Sequence, residues 1–515
     1  MSYRDVVLGL DVGTTNVKCL AIDESGTVAA QAIERTPISY PKPGWTDFEP
    51  NEIWKSACRT IRVVVSQLES RDAVRGIAVA SLAESVVPVN ADGEPLAPAI
   101  AWFDLRTAAE YALICDRIGY DRLFQVSGLN PDPMFGICKV LWVKHHNPRA
   151  FQDARYWLNL ADYIAFRLSG IPATDPSLAC RTLAYNLRQG NWERSFLEEI
   201  GIEPSSFPPV LRSGTPLGAV TASAAKETDL PKTTIVSVGA HDHICGAFAA
   251  SGFGREILVD SIGSSEMLLT VSDQPNFNPS TVQHGLAQGA IWIDRPMCYL
   301  TGGIFTAGSA IDWFRRELGG NADFGELIAE AESVEHGVPF FLPHLVRSLT
   351  PCPDTQVAGA FIGLKPTTTR AHMFRAVLEG LAFEARAIVD AMVMIAGLPR
   401  PTRIITFGAT LQNRLLAQIK ADIYGSPLTI NPIREAVSFG AALLAGIGSG
   451  VFADAGQAVS MARRHEIDLD PDPERSKRLL SCYEEVYREL FGQLQLINHR
   501  VHALAHRIES ASDNY

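Results

Sequence analysis

Long apolar runs, basic clusters and closely spaced cysteines are all missing from this chain of 515 residues. No stretch of 18 apolar residues occurs, so a helix that crosses a membrane is not expected. The opening Met1-Ser2-Tyr3-Arg4-Asp5 leads into no signal-type apolar segment. The nine cysteines are scattered and form no Cys-x-x-Cys, which fits a reduced, cytoplasmic protein. With a formal net charge of −12 and no run of Lys or Arg, neither nucleic acid nor an anionic membrane is an expected partner. No segment is of low complexity. The length allows two or more domains.

Against this plain background one stretch stands out. Val6-Val7-Leu8-Gly9-Leu10-Asp11-Val12 is an apolar run ending near an acid. Gly13-Thr14-Thr15 follows, then a second apolar run from Val17 to Ile22. Short apolar runs bounded by turn residues read as buried strands. Gly13 allows close approach of a ligand, and the hydroxyls and N–H groups of Thr14 and Thr15 suit a phosphate. Asp11 suits the water shell of a hard cation such as Mg²⁺. A hairpin with a merely polar turn is the alternative. The design recurs half a chain later, where Ile257 to Ile262 runs into Gly263-Ser264-Ser265 and out through Met267-Leu268-Leu269. Two strand–turn–strand units so far apart suggest two related domains facing one nucleotide.

The remaining pattern is that of an α/β chain. Strands fill residues 6 to 34, with a turn at Asp23 to Gly26. A helix carries Ile53, Trp54, Ala57, Ile61, Val64, Val65 and Leu68 on one face. Arg75 to Val89 reads as a buried strand pair interrupted by Glu84, and 105 to 170 as mainly helical. Residues 205 to 216 read as loop, and Ile235 to Gly239 as a strand leading into His241-Asp242-His243. Gly252-Phe253-Gly254 divides domains 1–252 and 253–515. Further helices are expected over 306–318, 369–395, 414–424 and 436–448, with a strand over 403–407. The tail from Pro473 to His506 reads as one long amphipathic helix that caps the second domain or supports a homodimer.

Asp242 lies beside small residues in Gly239-Ala240-His241-Asp242-His243-Ile244-Cys245-Gly246. A carboxylate there suits a general base for a hydroxyl, with room for a substrate. It could also be a purely structural acid. His241 and His243, two apart on a strand, would share a face and could form a metal pair, although two His without a third ligand rarely make a site.

These residues together resemble the FGGY carbohydrate kinases, the family of glycerol kinase, xylulokinase, ribulokinase and fuculokinase, over nearly the whole chain. Asp11-x-Gly-Thr-Thr matches the first phosphate motif of that family and Gly263-Ser264-Ser265 the second. Gly359-Ala360-Phe361-Ile362-Gly363-Leu364, followed by His372 to Glu379, resembles its C-terminal signature. Met134, Lys139 and Trp142 match the N-terminal signature, with Gly136 where Ser, Thr or Pro is usual. The resemblance implies two actin-like (ribonuclease H-like) domains and a cleft that closes on ATP, Mg²⁺ and a sugar or polyol.

It further implies that Asp242 is the base and His243 its substrate-binding neighbour. Glu84, Ala83, Met134 and Trp102 fall on the sugar side. Gly13, Thr14, Thr15, Lys18, Gly263, Ser264 and Ser265 fall on the phosphates, and Gly308, Asp312, Gly408, Ala409 and Asn413 on the adenosine. Asp11 falls at the metal. The implied reaction is transfer of the ATP γ-phosphate to a primary hydroxyl of a ketose or polyol. Gly408-Ala409-Thr410 replaces the Gly-Gly-Gly common in the family, and the Ala409 methyl would crowd a nucleotide. Leu82-Ala83-Glu84 replaces the Met-His pair of xylulokinases. Glu84 is a lone acid in an apolar region, so it either binds substrate hydroxyls or forms an internal ion pair, with Arg106 as the expected partner. A chaperone-like or filament ATPase on the same fold, or a sugar-binding regulator, is the alternative function.

Overall fold

The computed structural model describes residues 4–251, 253–334, 336–408, 413–462 and 466–512. Two mixed sheets dominate it. The first runs in the spatial order Pro216–Ala219, Ile235–His241, Val74–Ser81, Val6–Val12, Asn16–Asp23, Val28–Arg35. The second runs Ala287–Trp292, Pro296–Ile304, Glu266–Ser272, Ile257–Ile262, Arg403–Gly408, Leu428–Ile430, Ile467–Leu469. The plan is the same in both. The first strand of the half pairs antiparallel with the strand that follows it, and parallel with a strand from much later in the chain. A further strand extends the parallel side in each. The repeated turn motif is therefore one sign of a repeated fold, as expected for two actin-like domains.

Every residue of Val6–Val12 is buried, because a helix covers each face of its sheet. One face is covered by the helix Pro50–Gln67, whose Ile53, Trp54, Ala57, Ile61 and Val64 join the core of the first half. The other is covered by Ala436–Ser449, which comes from the second half of the chain. That helix is rich in small residues, and its backbone comes close. A methyl at Gly9 would stand 1.8 Å from the Ser438 carbonyl oxygen, and one at Gly440 2.0 Å from that of Cys245. Ala436–Ser449 and the helix Asp242–Ser251 thus form a layer between the sheets. Their core joins Val7, Ala78 and Ala240 of the first sheet to Val259, Ile405 and Phe407 of the second.

Several expectations need correction. Val74–Ser81 and Val86–Val89 are both strands, but they do not pair. Glu84 between them has φ of 65°, which turns the chain out of the main sheet, so that Val86–Val89 pairs with Tyr156–Asn159. The strand Ile235–His241 outruns its expected end, and Asp242 opens a helix. His241 and His243 therefore do not share a strand face. The tail is helical from Pro473 but is broken by a π turn at Tyr483–Tyr487 before the helix Arg488–Ser512. None of the nine cysteines is bonded to another. Among the described residues no helix is long and apolar enough to cross a membrane.

Candidate active site

The first turn is built by strand ends and braced by a loop. Gly13 N donates to Asn16 O at 3.0 Å, Thr36 Oγ1 to Gly13 O at 2.7 Å, and Thr36 N to Thr15 O at 2.9 Å. Trp102 stands against this turn, its Nε1 donating to Thr14 Oγ1 at 3.1 Å. Lys18 leaves on the second strand and pairs with Glu435 at 2.7 Å, just before the helix that crosses from the other half. Asp11 is buried, and its Oδ1 has no hydrogen-bond partner among the described residues. Burial, then the nearby charge of Asp242, pushes its carboxyl up to about 8.

The second turn sits on a helix start. Gly263 N donates to Ser265 O at 2.8 Å. Ser264 O accepts from Ala307 N at 3.0 Å and Ser309 N at 3.1 Å, and Gly263 O accepts from Gly308 N at 3.1 Å. Gly308 has no room for a side chain, since a Cβ would lie 2.3 Å from Gly263 O. Gly408, with φ of 93°, packs on the same strand end, and a Cβ there would lie 2.2 Å from Ile262 O. Gly308 and Gly408 thus converge on this turn. Asn413 caps the helix Arg414–Tyr424, accepting from Leu416 N at 3.0 Å. Asp312 is exposed on the helix Gly308–Glu317. Ala409 lies outside the described residues.

Asp242 opens the helix held between the sheets. Its Oδ1 is 3.1 Å from His241 Nε2. Burial pushes the His241 imidazole down to about 4, so it is neutral at pH 7 and lies beside that carboxylate, which accepts from His243 N at 2.5 Å. The backbone beneath is pinned as well. His241 N donates to Ser177 Oγ at 2.9 Å, and Ser177 Oγ donates to the buried carboxylate of Asp175. Donor atoms of His241, Asp242 and His243 lie within 4.8 Å of one another. A cavity of about 40 Å³ beside Asp242 is lined by His243, Ser261, Met267 and Phe407, so the acid faces the second sheet. Met267 also lines a larger opening of about 890 Å³, between the helix Tyr120–Ser127 and the strand Pro296–Ile304.

Glu84 is buried, and it is paired, though not with Arg106. Its Oε1 accepts from Arg181 Nε. Arg106 is taken up by Asp47 at 2.8 Å and Asp104 at 2.6 Å, and its guanidinium lies 4.1 Å from the Trp45 ring centre. The strained backbone of Glu84 is fastened by Lys139, whose Nζ donates to Glu84 O at 3.0 Å and Met134 O at 2.8 Å. Burial pulls that ammonium down to about 8. Ala83 is buried beside Glu84, and Met134 is half-buried. The charges of Glu84 and Arg181 both reach His241, so this cluster adjoins Asp242. The structure therefore brings Asp11, Asp242, His243 and Glu84 to one region and sets Gly263, Ser264, Gly308 and Gly408 around the opposing turn. Arg181, Asp175 and Ser177 are additions that carried no signal in the sequence. His241, weighed there as half of a metal pair, stands beside Asp242.

Residues 6–249 match the N-terminal domain, and 258–449 the C-terminal domain, of the FGGY family of carbohydrate kinases. The chain belongs to this family. It is a phosphotransferase whose phosphate donor is ATP. A xylulose kinase of Bacillus subtilis is 27% identical over 93% of this chain and 96% of its own length. A glycerol kinase of Gloeobacter violaceus is 31% identical over 88% and 90%. The crystal structure of a gluconate kinase from Lactobacillus acidophilus superposes with a TM-score of 0.85, covering 96% of this chain and 98% of that one at 23% identity. These matches across both halves give no support to a chaperone-like reading.

The Glu84–Arg181 pair makes an alanine substitution a poor probe, because it would strand a buried guanidinium at a cost of ~3–5 kcal/mol. Glu84→Gln keeps the shape and an acceptor. If Glu84 binds acceptor hydroxyls, this variant stays folded and raises KM for the sugar about tenfold to a hundredfold, with KM for ATP unchanged. Steady-state kinetics in both substrates checks this, and an unmoved sugar KM leaves Glu84 a structural ion pair only.

Proposed function

We propose that this FGGY kinase transfers the γ-phosphate of ATP to a primary hydroxyl of a ketose (pentulose or hexulose) or a polyol, with Asp242 as general base. The observation that carries the proposal is Asp242 at a helix start between the two sheets, close enough for its charge to act on Asp11 and sharing a cavity with Ser261 and Met267, on the strands that flank the second turn. Relatives named for xylulose, a ketose, and glycerol, a polyol, support this breadth of acceptor.

In this reading Thr14 and Thr15 of the first turn and Ser264 and Ser265 of the second hold the phosphates with their N–H and hydroxyl groups. Gly308, Asp312, Gly408 and Asn413 line the adenosine side. Glu84, His243, Met134 and Trp102 meet the acceptor, with Ala83 leaving it room. His241 holds the Asp242 carboxylate in line, so that it accepts the hydroxyl proton as the oxygen attacks. Lys18 acts through Glu435 rather than alone. Closure of domain 1–252 on domain 253–515 excludes water, which would otherwise compete as acceptor.

Mg²⁺ fits the donor set. Asp11 has a buried oxygen without a partner, next to a second carboxylate, and no described lysine or arginine pairs with it. An oxygen-seeking ion that keeps several waters suits such a place, and Asp11 would hold it. When bound, the ion supplies neutralisation of β- and γ-phosphate charge.

Nine free thiols support a cytoplasmic setting. For assembly, we propose a homodimer through the tail. Leu490, Leu494, Ile497, Val501, Leu504 and Ile508 recur at alternating steps of four and three, the period of a helix seam. The last four are exposed, so a second copy would cover them. A dimer mass by light scattering that falls to a monomer in Val501→Glu supports the seam, and a monomeric wild type refutes it.

The function itself is tested with Asp242→Asn. ADP release from ATP and Mg²⁺ across a panel of ketopentoses, ketohexoses and alditols should show an acceptor that stimulates the wild type. In the variant that turnover falls ~10²–10⁴-fold while nucleotide binding persists. Turnover near that of the wild type would remove Asp242 as the base.

A further inference from the structure

The strand face beneath the second turn carries a charge cluster where an apolar core is expected. Leu258, Asp260, Ile262, Glu266 and Leu268 lie in or beside the core that the helix Arg414–Tyr424 covers with Leu416, Ile419 and Ile423. Two carboxylates in this layer would be costly alone. Lys420, on the same helix, reaches both. Its Nζ stands 2.7 Å from Asp260 Oδ2 and 2.6 Å from Glu266 Oε1, and all three side chains are fully buried. Burial pushes both carboxyls up, Glu266 to about 8 with the charge of Asp260 adding to it. Burial opposes the Lys420 ammonium, but the two carboxylates outweigh it.

The positions of these three residues matter more than their charge. Asp260 and Glu266 lie on the two strands that enter and leave Gly263-Ser264-Ser265, and Ile262 pairs with Glu266 directly. Lys420 lies two turns into the helix that Asn413 caps. The strand beside Asp260 ends at Gly408, pressed onto Ile262. One ammonium therefore ties both arms of the phosphate turn to the helix whose start lies on the adenosine side. Methyl and methylene contacts alone would let the hairpin and helix slide. Two charge-assisted bonds at fixed angles do not.

We propose that Lys420 is the positioning residue of the nucleotide half-site, holding the 263–265 turn in register with the start of the helix Arg414–Tyr424 through Asp260 and Glu266. It touches no substrate. The inference rests on the reading of that turn as a phosphate site.

The test compares ADP binding by calorimetry, and KM for ATP and for the acceptor found in the panel, in the wild type, Lys420→Met and Glu266→Leu. Glu266→Leu cuts one tether while keeping the ammonium paired with Asp260, so it serves if Lys420→Met does not fold. A third variant, Lys420→Met with Asp260→Asn and Glu266→Gln, removes every charge and keeps the volume. The expected result is an ADP Kd and ATP KM raised about tenfold to a hundredfold in whichever single variant folds, with the acceptor KM within twofold of the wild type. The neutral triple variant regains thermal stability but not ADP affinity. A folded single variant that binds ADP as the wild type does overturns the proposal. So does an equal loss for both substrates, which would mark a general structural role. A wild type that binds no ADP removes the phosphate reading beneath it, a different failure.

Discussion

Asp11 and Asp242 are held near one another at the meeting of the two halves, and among the described residues no lysine or arginine forms an ion pair with Asp11, although the charge of Lys18 reaches it. Burial disfavours a charged Asp11 carboxylate, and the like charge of Asp242 adds to this, which is why the carboxyl is pushed up to about 8. Such an arrangement persists only where the surrounding structure fixes it. Here the fixing is done by close backbone packing. Gly9 and Gly440 let the helix Ala436–Ser449 lie directly on the strand that carries Asp11 and on the helix that begins with Asp242. The two acids are thus set by one glycine-lined layer.

Around this centre the two halves reuse one plan and differ in how they brace it. The first turn is held by local hydrogen bonds from Thr36 and by Trp102. The second is held from above by the start of Gly308–Glu317 and from below by a buried ammonium. Near Asp242 a third device operates. A left-handed Glu84, fastened through its carbonyl by Lys139, aims a carboxylate at Arg181. In the last two cases a buried charge is satisfied by partners from distant segments, which fixes geometry at a net gain in stability that is small or absent.

Much of this was legible in the sequence, because it is local. The turns at Gly13 and Gly263, the helices and the acid at 242 follow from apolar runs, turn residues and spacing over a few positions. The strand pair over 75–89 was misread because a left-handed Glu84 leaves no mark in composition, and non-glycine residues rarely adopt it. The ion partner of Glu84 was misread for a related reason. Arg106 is far nearer to Glu84 in sequence than Arg181, and only the fold shows that Asp47 and Asp104 already occupy it. Lys420 sits in a segment that reads as ordinary helix, and nothing in the sequence singles out Asp175. Their roles arise from contacts across 154 and 64 positions respectively, through Glu266 and through Ser177 to His241.

The account stands or falls on where the phosphoryl group goes. The most direct measurement is phosphorus NMR of the products formed from ATP, Mg²⁺ and the acceptor that stimulates ADP release. The geometry around Asp242 calls for a phosphomonoester on a primary carbon of the acceptor, in amount equal to the ADP formed. Inorganic phosphate in that amount, with the acceptor unmodified, would show that water and not a sugar hydroxyl meets Asp242, and would contradict the account.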